Sequence, residues 1–440
     1  MKIGTVYQDV EIIDYTHEGL GVAKVNDFVT FIPFVNKGNK YKIKITKVKK
    51  KFAYAIALNG SINNNGCKYF PKCGGCQIRH LDIDKQLEFK QEVVNNILNK
   101  NKIKTKVLPI IGSDSDNYYR NKVIMPVKWQ DNKITKGYYK SQSHDLVSID
   151  SCKLVSDEVN DITNYIIELL NEFGETAYDE DKKKGNVRYI CIRQGYHTNQ
   201  IMVCLVCYYP RIKEQKEFSK RLVKKFKNIK SIVINQNNRH NNAVLGFKNI
   251  NLYNCNFIED KIGDLVYRIE PNTFFQVNTN QAKKLYDVVI DFLNPNKEDI
   301  VLDAYCGVGT IGLYFAKQVK RLVGSEINAK SVKMAEINAK INNIDNAEFI
   351  CVDMQKDKSI NYNEFNKIVV DPPRSGLSTD FINILNKNNF ETIVYVSCNP
   401  ATMARDLKHL ENSYQVKKIQ PVDMFSHTYH VENVVLLERK

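Results

Sequence analysis

Two segments near the C-terminal end carry the residues best suited to chemistry. Lys367-Ile-Val-Val-Asp371-Pro372-Pro373-Arg374 and Thr392-Ile-Val-Tyr-Val-Ser397-Cys398-Asn399-Pro400 are runs rich in β-branched residues, each halted at proline. Such runs read as buried parallel strands ending in loops, and open α/β sheets bind ligands just beyond the carboxyl ends of their strands. The two segments therefore offer Asp371 and Cys398 where a reacting group is expected. A buried structural thiol is the competing reading of a lone cysteine. The place of Cys398, directly after its strand and just before a proline turn, favours a nucleophile.

A second constellation lies in Cys67-Lys-Tyr-Phe-Pro-Lys-Cys73-Gly-Gly-Cys76. Three thiols this close can gather on one metal centre at little cost in loop entropy, and glycine lets backbone N–H groups turn toward sulfur. A fourth ligand is needed, and Cys152 is the candidate. Spacing leaves all-thiolate zinc and a [4Fe–4S] cluster both open, with unconnected buried thiols as the bland alternative. Cys191, Cys204 and Cys207 sit inside apolar, strand-like runs and read as core.

A third signal is Asp303-Ala-Tyr305-Cys306-Gly307-Val-Gly309-Thr-Ile-Gly312, placed between an expected strand and helix. Its glycines admit close approach of a ligand, and Glu326, closing the next expected strand, can accept both hydroxyls of a ribose. A nucleotide or nucleoside is implied. NAD and S-adenosylmethionine both remain possible on the glycines alone, whereas the missing Gly-Lys-Ser/Thr excludes a P-loop.

Around these sites the chain is long, at 440 residues, and basic, with a formal charge of +15. Two to four domains are expected, and a polyanionic partner such as nucleic acid suits the charge. No apolar run approaches a membrane span and no leader pattern opens the chain, so we expect a soluble, cytoplasmic protein with no membrane partner, acting as a monomer. Cysteines there stay reduced, which turns clusters among them toward metal or catalysis. Residues 1–59 alternate apolar and polar with frequent turns, as a small OB-like β-barrel does, and Lys40-Tyr-Lys-Ile-Lys-Ile-Thr-Lys presents a lysine-rich face suited to RNA. Asp82 to Lys100 reads as an amphipathic helix with Ile83, Leu87, Val94, Ile97 and Leu98 on one face. Residues 60–262 read as an α/β middle domain bearing the cysteines. Residues 263–440 alternate strand and helix as a Rossmann-like doubly wound sheet, the last strand antiparallel because its connection is too short for a crossover. That topology is seen in S-adenosylmethionine-dependent methyltransferases.

Taken together, Asp303-x-Tyr-Cys-Gly-x-Gly, Asp371-Pro-Pro-Arg-x-Gly, Ser397-Cys-Asn-Pro, His430-Val-Glu432-Asn and Phe274-Phe-Gln276-Val-Asn resemble the RNA uracil-C5 methyltransferases of the RumA/RlmD and TrmA group. The barrel resembles a TRAM domain, and barrel and cysteines together resemble the branch acting on 23S rRNA. The resemblance implies a [4Fe–4S] cluster on Cys67, Cys73, Cys76 and Cys152, and S-adenosylmethionine bound by Gln276, Tyr305, Glu326 and Asp371. It implies Cys398 as nucleophile and Glu432 as base. The chemistry is coherent. C5 of uracil is a poor nucleophile until a thiolate adds to C6, after which a base must strip the C5 proton to release the product. The ring must leave its stack for this, so a single-stranded or looped region of 23S rRNA is the expected partner. A tRNA uracil-C5 methyltransferase and a non-catalytic RNA-binding assembly protein are the alternatives. A nicotinamide-dependent reductase fits the glycines but offers Cys398 and Glu432 no joint task.

Overall fold

The computed structural model describes residues 1–354 and 360–440. At the N-terminal end, six short strands between Val6 and Ala57 form one strongly curved sheet. Its interior is aliphatic, with Ile12, Ile32, Ile43 and Ile45 fully buried. The period-two alternation of Lys40–Val48 places Ile43 and Ile45 inside and leaves Lys44 exposed.

A seven-stranded sheet follows, built between Lys122 and Asn254 and mostly antiparallel. The helices Asp157–Glu172 and Gln215–Lys225 pack on it. Cys191, Cys204 and Cys207 are buried in its strands.

The C-terminal sheet carries seven strands in chain order: Ile300–Ala304, Arg321–Glu326, Ala347–Cys351, Lys367–Val370, Thr392–Ser397, Tyr414–Val422 and Glu432–Arg439. Their spatial order is third, second, first, fourth, fifth, seventh, sixth. The first five run parallel and the seventh antiparallel to both its neighbours. The strand order reverses between the first and fourth strands, the place where such sheets open a ligand crevice.

Two features tie the parts together. Lys106–Val107 adds a short strand at the far edge of the C-terminal sheet, beside Lys418–Ile419. The hairpin Ile258–Ile262 with Leu265–Ile269 spans residue 262 and buries its apolar side in the core of that sheet. Helix Ile83–Lys100 buries Gln86, Phe89, Lys90, Val94 and Leu98. Of the apolar face read from sequence, only Val94 and Leu98 are among these. The helix is rotated so that two polar side chains point inward. Among the described residues no helix is long and apolar enough to cross a membrane.

Candidate active site

Carboxyl ends of parallel strands deliver most of the site. Tyr305 follows the first strand, Glu326 ends the second, Asp371 follows the fourth and Cys398 follows the fifth. The seventh strand, running the other way, starts with Glu432. Ser397 pairs with Asn433 across those strands, so Cys398 and Glu432 are neighbours one position further on. All five, with Gln276, line a single cleft of about 590 Å³. That lies within the range of small-molecule sites, roughly 300–1,000 Å³.

Local sequence explains how each is held. Gly312 approaches Asp303 so closely that a Cβ there would meet its Oδ2 at 2.6 Å, and its N–H donates to that oxygen at 2.9 Å. Glu326 accepts from the N–H groups of Gly307 at 3.2 Å and Asn328 at 2.8 Å. The Cys398 turn is fixed by Asn399, whose N–H bonds Ser397 Oγ and whose Oδ1 caps helix Pro400–Leu410 through the Ala401 N–H. Behind it, buried Asp406 accepts from Tyr395 Oη at 2.7 Å and the Leu377 N–H at 2.8 Å. Gln276 is held from the middle sheet. Asn121 Nδ2 donates to its carbonyl at 2.7 Å, and Arg193 donates to Thr273 O just upstream.

Burial dominates the electrostatics. It raises Glu432 to about 8, helped by the charge of Asp371 and opposed by Arg374. It raises Asp371 to about 7. Cys398 is pushed up to about 11 by burial and by the charges of Glu432 and Asp371, again opposed by Arg374. One guanidinium therefore favours the anionic forms of both the thiol and the carboxyl group.

Sequence reasoning passed over Arg374 and His430 as site residues. Both line the cleft, their side chains 3.5 Å apart. Each sits inside a quoted motif, so the signal was proximity to Asp371 and Glu432.

The cysteines converge elsewhere. Cys67, Cys73, Cys76 and Cys152 line one cavity of about 50 Å³, together with Arg79 and Arg120. Gly75 N–H points at Cys73 Sγ, 3.4 Å away. Gly74 lies flat on the neighbouring hairpin, where a Cβ would meet Tyr139 O at 2.7 Å. Burial lifts Cys73 to about 12 and Cys76 to about 11, the latter restrained by Arg79. Among the described residues no three cysteine, histidine or acidic side chains meet closely enough to hold a single ion. The donor set is all sulfur, of the kind that thiophilic metal centres take.

A doubly wound sheet whose strand ends present a glycine loop, a carboxylate and a thiol to one cleft, joined to a small N-terminal barrel, is the architecture of an S-adenosylmethionine-dependent RNA methyltransferase. The chain belongs to the tRNA (uracil-5-)-methyltransferase family, which residues 82–440 match, and residues 4–58 match the TRAM domain. It is an RNA uracil-5 methyltransferase. An uncharacterised RNA methyltransferase of Oceanobacillus iheyensis is 39% identical over 97% of this chain and 95% of its own. Another, from Staphylococcus aureus, is 36% identical over 100% and 98%. The solved tRNA (uracil-54, C5)-methyltransferase of Pyrococcus abyssi, in complex with S-adenosyl-L-homocysteine, superposes with a TM-score of 0.80. It is 30% identical and covers 98% of this chain and 99% of its own.

Proposed function

We propose that the protein methylates C5 of a uridine in a looped region of 23S rRNA through a covalent cysteine adduct, as a cytoplasmic monomer. The observation that carries this reading is the juxtaposition of Cys398 and Glu432 on the lining of the cleft. Cys398, losing its proton, adds to C6 of the uracil and drives electron density to C5. Gln276, Tyr305, Glu326 and Asp371 would hold S-adenosylmethionine, whose sulfonium methyl group C5 would take as the sulfur–methyl bond breaks and S-adenosylhomocysteine leaves. Glu432 then takes the C5 proton, and the C6–sulfur bond breaks to restore the ring and the thiolate. Arg374 serves both residues, since its charge favours the thiolate and the carboxylate alike. Asp371, beside both, also reaches the uracil.

Cys67, Cys73, Cys76 and Cys152 would hold a [4Fe–4S] cluster. Methyl transfer moves no net electrons, so the cluster would supply shape and RNA surface to the middle domain. The chain divides, on this reading, into a TRAM barrel (1–59), a middle domain (60–262) and a methyltransferase domain (263–440).

A tRNA substrate is the second reading, favoured by the Pyrococcus abyssi enzyme, whose likeness runs through barrel and cysteine region alike. Mapping 5-methyluridine in 23S rRNA and tRNA from cells with and without the protein separates the two. A lost modification confined to 23S rRNA is expected. Loss confined to tRNA would replace the first reading with the second.

A further inference from the structure

His427 is fully buried, with its backbone in the left-handed region at φ 68°. Several segments hold it in place. Its carbonyl accepts from the N–H groups of Gln77 at 3.0 Å and Ile78 at 3.1 Å, the two residues that follow Cys76. Its own N–H donates to Gln86 Oε1 at 2.8 Å, and its Nδ1 accepts from Gln86 Nε2 at 3.1 Å. That leaves the ring proton on Nε2, which lies 3.3 Å from Asp116 Oδ2.

The segment holding His427 is tied down on both sides. Lys90 Nζ meets Asp423 Oδ1 at 2.5 Å, with both side chains buried, and donates to Phe425 O at 3.0 Å. Tyr119 Oη donates to Ser426 O at 3.0 Å. Beyond His427, the chain passes through His430 into Glu432, and Phe425, His430 and Glu432 all line the cleft. The lining of the methyl-transfer cleft and the loop bearing Cys73 and Cys76 thus meet at one residue.

We propose that His427 is a positioning residue that couples the cysteine site to Glu432, so that the geometry of the four thiols sets the placement of the base. The inference rests on the reading of Glu432 as the base that removes the C5 proton. It gives the cysteine site a task within the reaction that needs no electron transfer.

Two variants test it on the full-length protein as purified anaerobically. Gln86→Leu removes both side-chain bonds to His427, along with one to Leu81 O, without touching the cleft. Cys152→Ser alters the thiol set at the cysteine that lies outside the 67–78 loop. Hydrogen exchange of residues 423–431 should quicken in both, while Ile300–Ala304 keeps wild-type protection. With RNA tritiated at uracil C5, Gln86→Leu should lower kcat by roughly 10- to 100-fold. KM for RNA should stay within about twofold, and covalent RNA adduct should accumulate as the base falls out of place. A merely structural role would lower activity in step with folded protein and accumulate no adduct; that result, or unchanged exchange of 423–431 in both variants, overturns the proposal. The exchange readout needs no turnover. A wild-type protein that released no tritium would therefore refute the methyl-transfer reading, and the coupling would still be judged on exchange.

Discussion

Cys398 and Glu432 stand side by side, one position past the Ser397–Asn433 pair, where the fifth and seventh strands of the catalytic sheet run antiparallel. Residues opposed in such a ladder have Cα atoms roughly 4.5–5.5 Å apart. C5 and C6 of a pyrimidine are bonded neighbours, so one group can attack at C6 while the other reaches the proton on C5. A parallel seventh strand would carry its first residue to the opposite edge of the sheet. The reversal that ends this fold is therefore what brings Glu432 and Cys398 together.

That pairing separates the two half-reactions. Cys398→Ala should release no tritium from RNA labelled at uracil C5. Glu432→Gln should lower kcat by about 10²- to 10⁴-fold and leave an RNA adduct that survives denaturant, visible as a gel shift. Wild-type release by Cys398→Ala would remove the thiol from the mechanism, and an adduct-free Glu432→Gln would remove the base.

The pH profile follows from the burial of the carboxyl group. On the proposed mechanism Glu432, raised to about 8, and Cys398, raised to about 11, must both lose a proton, so kcat/KM should climb as pH rises through 8 and go on climbing toward 11. Arg374 lowers both Glu432 and Cys398. Arg374→Ala should consequently shift the limb to higher pH and lower the rate at neutral pH. A limb that stays put or moves down would show that Arg374 does not govern these groups.

Cofactor affinity should depend on Glu326. Its two oxygens are already oriented by Gly307 and Asn328, which leaves the carboxylate rigid and turned to the cleft. Charged hydrogen bonds contribute about 1.5–3 kcal/mol each, so Glu326→Ala should weaken S-adenosylmethionine binding by roughly 10- to 100-fold in calorimetry. Unchanged affinity would place the ribose elsewhere.

The cysteine site makes a spectroscopic prediction. Anaerobically purified protein should carry iron and sulfide with broad visible absorbance, lost in Cys152→Ser together with several degrees of thermal midpoint. Stoichiometric zinc without sulfide would replace the cluster with an all-thiolate zinc site.

Much of this was legible along the chain. Runs such as Ile-Val-Val before Asp371 and Ile-Val-Tyr-Val before Cys398 read as buried parallel strands, and a strand that stops at proline announces where its loop starts. The glycines from Gly307 to Gly312 and the sulfur spacing from Cys67 to Cys76 are equally local, because a tight turn and a ligand loop are built from consecutive residues. The period-two pattern of the barrel belongs to the same class.

Other features depend on contacts between distant segments. Gln86 and Lys90 look like the wet side of an amphipathic helix, yet both are buried because Asp423 and His427 arrive from the other end of the chain. Periodicity weighs polarity and has no knowledge of a partner that satisfies it. Gln276 takes its place from Asn121 and Arg193 in the middle sheet, and Arg374 and His430 become neighbours only when two loops close over one cleft. The amino acids by themselves marked out the strands and turns of the C-terminal sheet and offered candidate reacting side chains. Which of them face one another was decided by strand order and by long-range polar pairing, since burying a hydrogen-bonding group is tolerable only where tertiary structure supplies its partner.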